Sequence, residues 1–277
     1  MALTQAGNLL TTAHRAQQLA VRAGSIQGLM RMWSVVDPAD LSGTINVFAE
    51  AAAILAGQGF DQSAAAAAQY YSLFRRVETG AGSAVVVARR PGIELLAGEL
   101  RGAALKGILD ARRAGRSIGD AKTNGLVRTI GTLSKLVLAG GRQTITTAVQ
   151  DDRKALGWGR VTGGDPCTFC RMLASKGPVY KSERSAEFDA HDHDACTPEP
   201  LFSDDPLASS KVVRQSEEYL GEYRTAQEWA RQGGTMSQDT SNNALNNYRR
   251  WLANGKPEPG SAPPDGGNAG NDGGNPE

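Results

Sequence analysis

The chain has 277 residues, with 30 Lys and Arg against 29 Asp and Glu, for a net charge of +1. That balance excludes a polyanion binder acting through bulk charge, and no apolar run approaches the ~20 residues a membrane-spanning helix needs. Three cysteines, an odd number, exclude a complete disulfide framework and fit reduced thiols or thiolates on a metal. The opening MALTQAGNLLTTAHRAQQ has no basic start followed by an apolar core, so no secretory signal is expected.

Residues 1–150 read as helices. Over 39–57, Leu41, Ile45, Phe48, Ala52 and Leu55 recur at spacings of four and three, a stripe along one helix face. Asp37-Pro38 and Asp40 open that helix. Asp61 is placed to cap a following Ala-rich helix that ends near Phe74. GAGSAVVVARRPG at 80–92 interrupts the pattern, with Val85–Val87 reading as a short strand or part of a loop. Ile93, Leu96, Leu100, Ala104 and Ile108 form a second stripe, closed by a basic turn at Arg112–Arg116 that reads as a solvated helix end. Leu126, Ile130, Leu133 and Val137 mark a further helix, which Gly140-Gly141 is expected to break or bend.

Composition changes near Asp151. Residues 155–206 are rich in Gly, Pro, Ser, Asp and His and lack helical period outside Thr168–Lys176. A segment of that kind needs a staple such as a metal. Residues 210–232 and 236–253 read as helices with apolar faces at Tyr219, Leu220 and Tyr223 and at Leu245, Tyr248 and Leu252. From Pro257 onward almost nothing is apolar, and disorder is expected.

All three cysteines and two of the three histidines fall between residues 167 and 196, as C-x2-C-x20-H-x-H-x2-C. Tetrahedral zinc takes four thiolate or imidazole ligands, and a CxxC turn commonly supplies two of them. Cys167 and Cys170 form that turn within GGDPCTFCRM, where Gly163, Gly164 and Pro166 favour tight backbone. Cys196 is the third ligand, because thiolates outrank carboxylates on zinc. The fourth is His191 or His193, and spacing does not choose between them. Asp189, Asp192 and Asp194 are placed to orient a ligating imidazole. Nucleophilic catalysis has little to draw on, since only His14 lies outside the cluster as a base. The expected fold is mainly α. A helical domain spans 1–150, a small irregular α+β zinc-stapled domain 151–206, C-terminal helices 207–254 and a disordered tail 255–277.

GWGRVTGGDPCTFCRMLASKGPVY, followed by FDAHDHDACTPEPLF, resembles the MuF-like minor capsid proteins of tailed phages that infect actinobacteria, which also carry the label capsid maturation protease. The resemblance extends more loosely over the N-terminal helices, including LAGGRQTITTAVQDDRKALGW. In that family the second half of the cluster often reads H-x-x-C-x-C. Carried over, Cys167, Cys170, His191 and Cys196 match, while Asp194 stands at the middle cysteine position. The resemblance therefore implies a structural zinc on those four residues, with His193 as the alternate ligand and Asp192 and Asp194 behind them. It also implies a minor head protein in the capsid interior of the virion, made in the host cytoplasm. Its partners would be the portal and other head proteins, with scaffold, major capsid protein and DNA as further contacts and no membrane. A maturation protease is the alternative function. His-Asp-His-Asp beside a CxxC also invites a third reading, a histidine–metal finger nuclease.

Overall fold

The computed structural model describes residues 2–163, 166–180, 188, 190–203, 211–232 and 243–261. The chain forms two compact units. The first comprises residues 1–165 and 177–214, the second 166–176 and 215–277.

Four long helices build the first unit: α1 (Gln5–Met32), α2 (Leu41–Thr79), α3 (Ile93–Arg113) and α4 (Ile118–Asp151). They alternate in direction as an up-and-down bundle. Leu29 and Trp33 make one apolar core with Ile45, Phe48, Ala52, Leu100, Ala104, Ile108, Leu133 and Val137 of the expected stripes, and Leu41, Leu55, Leu126 and Ile130 pack against it. Asp40 caps α2, its carboxylate accepting from the Gly43 amide at 3.0 Å.

Two expectations are corrected. Asp61 starts no helix, because α2 runs unbroken for 39 residues and Asp61 instead pairs on its surface with Arg90 at 2.8 Å. The Ala-rich run has the highest helix propensity available, so nothing interrupts it. Nor does Gly140-Gly141 break α4. A Cβ on Gly140 would lie 2.2 Å from the Phe60 carbonyl oxygen, so the glycine allows α2 and α4 to cross in backbone contact. The Gly141 amide donates to Ser63 Oγ at 2.9 Å. Val85–Val87 belongs to a loop without strand pairing.

Helix α1 buries a largely polar face: Thr11, His14, Gln18 and Ser25 besides Gly7, Gly28 and Leu29. Gln18 exchanges hydrogen bonds with Ser63, through its amide to the Ser63 carbonyl (3.0 Å) and from the Ser63 hydroxyl (2.6 Å). At its start, the Leu3 amide and the Thr4 hydroxyl donate to Glu78 at the end of α2.

A three-stranded antiparallel sheet, ordered β2-β1-β3, packs on α4. Its strands are β1 (Gly157–Val161), β2 (Val179–Tyr180) and β3 (Thr197–Leu201). In β3, Pro198 and Pro200 stand opposite Arg160 and Trp158. Both prolines have the same parity, so their missing N–H groups face away from β1 and leave its ladder intact. Tyr70, Tyr71, Phe74, Ile145, Val149 and Trp158 form a second core between this sheet and the ends of α2 and α4.

The second unit contains α5 (Thr168–Ser175) and α7 (Asn243–Ala253) together with residues 215–231 of α6 (Lys211–Arg231). Trp229, Tyr248 and Trp251 make its core, with Met172 of α5 packed against it. Residues 255–261, expected within a disordered tail, turn back on α7: the Trp251 indole donates to the Pro257 carbonyl at 2.8 Å, and Lys256 pairs with Glu222. The remainder of that expected tail, 262–277, lies outside the described residues. The contacts also group residues differently from the composition-based segments, since 157–161 and 197–201 join the helical bundle and 166–176 groups with α6 and α7.

Candidate metal centre

The CxxC half belongs to the second unit. Cys167 is the N-cap of α5, and its sulfur accepts from the Cys170 amide at 3.4 Å. The two Sγ atoms lie 3.2 Å apart. Cys167 is exposed and Cys170 buried. Arg171 clamps the turn, donating through Nε to the Pro166 carbonyl at 3.1 Å and through Nη1 to Glu222 at 3.0 Å. Glu222 also accepts from the Tyr248 hydroxyl at 2.7 Å. Burial works against its charge, but Lys256, Tyr248 and Arg171 outweigh it and keep the carboxyl below its ordinary range. Gly164, expected to shape this turn, lies outside the described residues.

The histidine half belongs to the first unit and leads directly into β3. The Asp194 amide closes a turn onto the His191 carbonyl at 3.2 Å. Asp192 accepts from the Thr132 hydroxyl of α4 at 3.2 Å. His193 has a left-handed backbone, φ 66°, a conformation uncommon outside glycine. Its ring lies over Gly131 of α4, where a Cβ would meet Nε2 at 2.7 Å. Burial lowers the His193 pKa, helped by Arg22 and His191 and opposed by Asp192. Asp189 lies outside the described residues.

Asp194 is the anchor of this loop. Its carboxylate accepts from the Cys196 amide at 2.7 Å and pairs with Arg142 and Arg160, each at 3.5 Å and all three buried. Arg142 also donates to the carbonyls of Cys196 (3.0 Å) and Asp194 (2.9 Å). Phe188 packs on both guanidiniums, 3.9 Å from Arg160 and 5.1 Å from Arg142. Burial raises the Asp194 pKa, yet Arg142, the Cys196 hydrogen bonds and Arg160 together hold it below the usual carboxylate value.

Each half therefore offers its own donors, two thiols in the second unit and, in the first, one thiol and two imidazoles. Within the cluster, Cys170, Asp194 and Cys196 are buried and carry metal-ligating atoms. Asp194 is already committed to an amide and two guanidiniums, which leaves the sulfurs as the stronger candidates. Thiol and imidazole donors are the ligand types that suit zinc. Within the histidine half, the exposed His193 lies with its ring beside Gly131 of α4, and His191 sits half-buried at the head of the turn.

Sequence reasoning missed Arg142 and Arg160. The signal for Arg142 was present, since it is a lone cation inside the small-residue stretch LAGGRQT. The signal for Arg160 was its place in the strand GWGRV, whose other residues are uncharged.

Among the described residues, no helix is long and apolar enough to cross a membrane. The model of the VG15 protein family matches residues 8–226. A stretch of 81 residues is 35% identical to the Gene 15 protein of Mycobacterium phage D29, covering 28% of this chain and 30% of that protein. No solved structure matches the chain. The family match runs from α1 through both halves of the cysteine–histidine cluster and into α6, and on that extent the chain belongs to the VG15 protein family, with a relative among phage proteins.

Proposed function

We propose that the chain is a minor structural protein of a tailed-phage head, associated with the portal and the capsid interior and acting in head assembly or genome delivery. The observation that supports this reading is the family match over residues 8–226, together with a curated relative from a phage. A structural zinc on Cys167, Cys170, His191 and Cys196 is part of the same proposal. It rests on donor chemistry and spacing, and the resemblance to the MuF-like pattern favours His191 as the imidazole, with His193 as the alternate. The metal would supply fixed tetrahedral geometry to segments with little core of their own.

Quantitative mass spectrometry of purified procapsids and filled heads tests the role. The chain is expected in both, at few copies per particle, and its absence from both overturns the reading. Co-expression with the portal, scaffold and major capsid proteins separates this role from maturation proteolysis. A head protein leaves the intact masses of scaffold and capsid protein unchanged and co-purifies with the portal. Cleavage abolished by a single substitution would move the assignment to a protease.

A further inference from the structure

We propose that Cys167 and Cys170 are a redox-active pair, a dithiol that closes to an intramolecular disulfide when it meets a hydroperoxide. The proposal rests on the second unit alone and not on the zinc reading. The two sulfurs are in contact, 3.2 Å apart. Two residues of one helical turn hold them there, with Cys167 at the N-cap and Cys170 in the first turn of α5. Arg171 ties that turn to the Pro166 carbonyl and to Glu222. Access is asymmetric, since Cys167 is exposed and Cys170 buried. That is the arrangement of an attacking thiol backed by a resolving one.

The chemistry balances in two steps. The Cys167 thiol gives up its proton and its sulfur attacks a peroxide oxygen, forming an S–O bond and breaking the O–O bond, and the alkoxide leaves with that proton as the alcohol. The Cys170 sulfur then attacks the Cys167 sulfur, the S–S bond forms, the S–O bond breaks and hydroxide departs with the Cys170 proton as water. Two thiols are oxidised and one hydroperoxide is reduced to alcohol and water. In the disulfide neither sulfur is a thiolate, so, on the zinc reading, oxidation also removes two of the four ligands.

The test uses the full chain, reduced and then exposed to stoichiometric hydrogen peroxide with and without added zinc. Trypsin cuts after Arg160 and Arg171, so both cysteines fall in one peptide, Val161–Arg171, and Cys196 falls in another. The expected result is a fall from three free thiols to one, with the Val161–Arg171 peptide two hydrogens lighter and restored by dithiothreitol. Cys196→Ser is expected to keep this bridge, and Cys170→Ser to accumulate a dimedone-reactive sulfenic acid at Cys167. Three thiols persisting after peroxide, a bridge joining the Cys196 peptide, or disulfide-linked dimers would each overturn the proposal. Zinc content measured before oxidation reports on the metal reading separately. A chain that binds no zinc but forms the bridge sinks only the metal, and a chain that binds zinc but never bridges when metal-free sinks only the redox pair.

Discussion

Below pH 6.5 a free imidazole takes up a proton, and His14 resists doing so while its surroundings stay folded. The ring is buried and stacks flat on Tyr70 at 4.3 Å, and neither nitrogen has a hydrogen-bond partner among the described residues. Burial lowers its pKa from 6.5 to about 3. The folded value is depressed, so the neutral form's contribution is complete above pH 6.5 and is lost as pH falls from there towards 3. The expected slope approaches about 1.4 kcal/mol per pH unit in that window. His14→Phe keeps the stacked ring and removes the proton site. Urea unfolding at pH 7 and pH 5 should show the wild type losing on the order of 2 kcal/mol more than the variant, and equal losses would refute the assignment. Asp194 has the same sign at lower pH, because its folded pKa is also depressed. Its stabilisation is complete above the free carboxyl value near 4 and disappears as pH falls below that. Asp194→Ala would strand the buried Arg142 and Arg160 and is expected to cost about 3–5 kcal/mol at pH 7, read from the same denaturant series. Neither role was legible in advance. The sequence shows His14 as a histidine on a helix and Asp194 as one of several loop acids, and burial is what separates them from their neighbours.

At the scale of the helix, period and packing diverge where polar or missing side chains meet. The apolar stripes on α2, α3 and α4 were readable because Phe48, Leu100 and Val137 bury large side chains at regular spacing. The seating of α1 was not readable, since its inward face is Thr11, His14, Gln18 and Ser25, and its fit depends on hydrogen bonds such as Gln18 to Ser63. The glycines of α4 were misread for a related reason: low helix propensity suggests a break, whereas contact with Phe60 of α2 makes the missing Cβ a requirement. This separates two classes of helical glycine by experiment. Gly140→Ala forces a methyl into the Phe60 carbonyl and should destabilise by about 1–3 kcal/mol or more. Gly98→Ala and Gly102→Ala on α3 meet nothing within 4 Å and should each stabilise by about 0.5–1 kcal/mol through propensity alone. Thermal melts of the three variants check the contrast, and a neutral Gly140→Ala would remove the close crossing of α2 and α4.

For the whole chain, composition marks where helices give way to irregular backbone near Asp151, but it does not say which unit a short segment joins. Residues 157–161 and 197–201 pack with the bundle because Trp158 and Leu201 are buried in cores of the first unit. Residues 166–176 group with α6 and α7 because Met172 and Arg171 find their partners there. Pairings of that kind are non-local and leave no periodic trace. The clustering of thiols and imidazoles, by contrast, is visible in the spacing alone, and the proposed zinc turns it into a measurement on the intact protein. Protein purified under reducing conditions, which keeps Cys167 and Cys170 as thiols, is expected to carry about one zinc per chain by elemental analysis. Chelation should lower the melting temperature and raise amide exchange in residues 166–176 and 190–203, while the cores of α2 and α4 keep their protection. Cys167→Ser should mimic chelation, and added zinc should not rescue it. A chain without stoichiometric metal whose Cys167→Ser variant melts at the wild-type temperature would leave the two segments held by Arg171 and by the Arg142–Asp194–Arg160 cluster alone, and the zinc staple would be wrong.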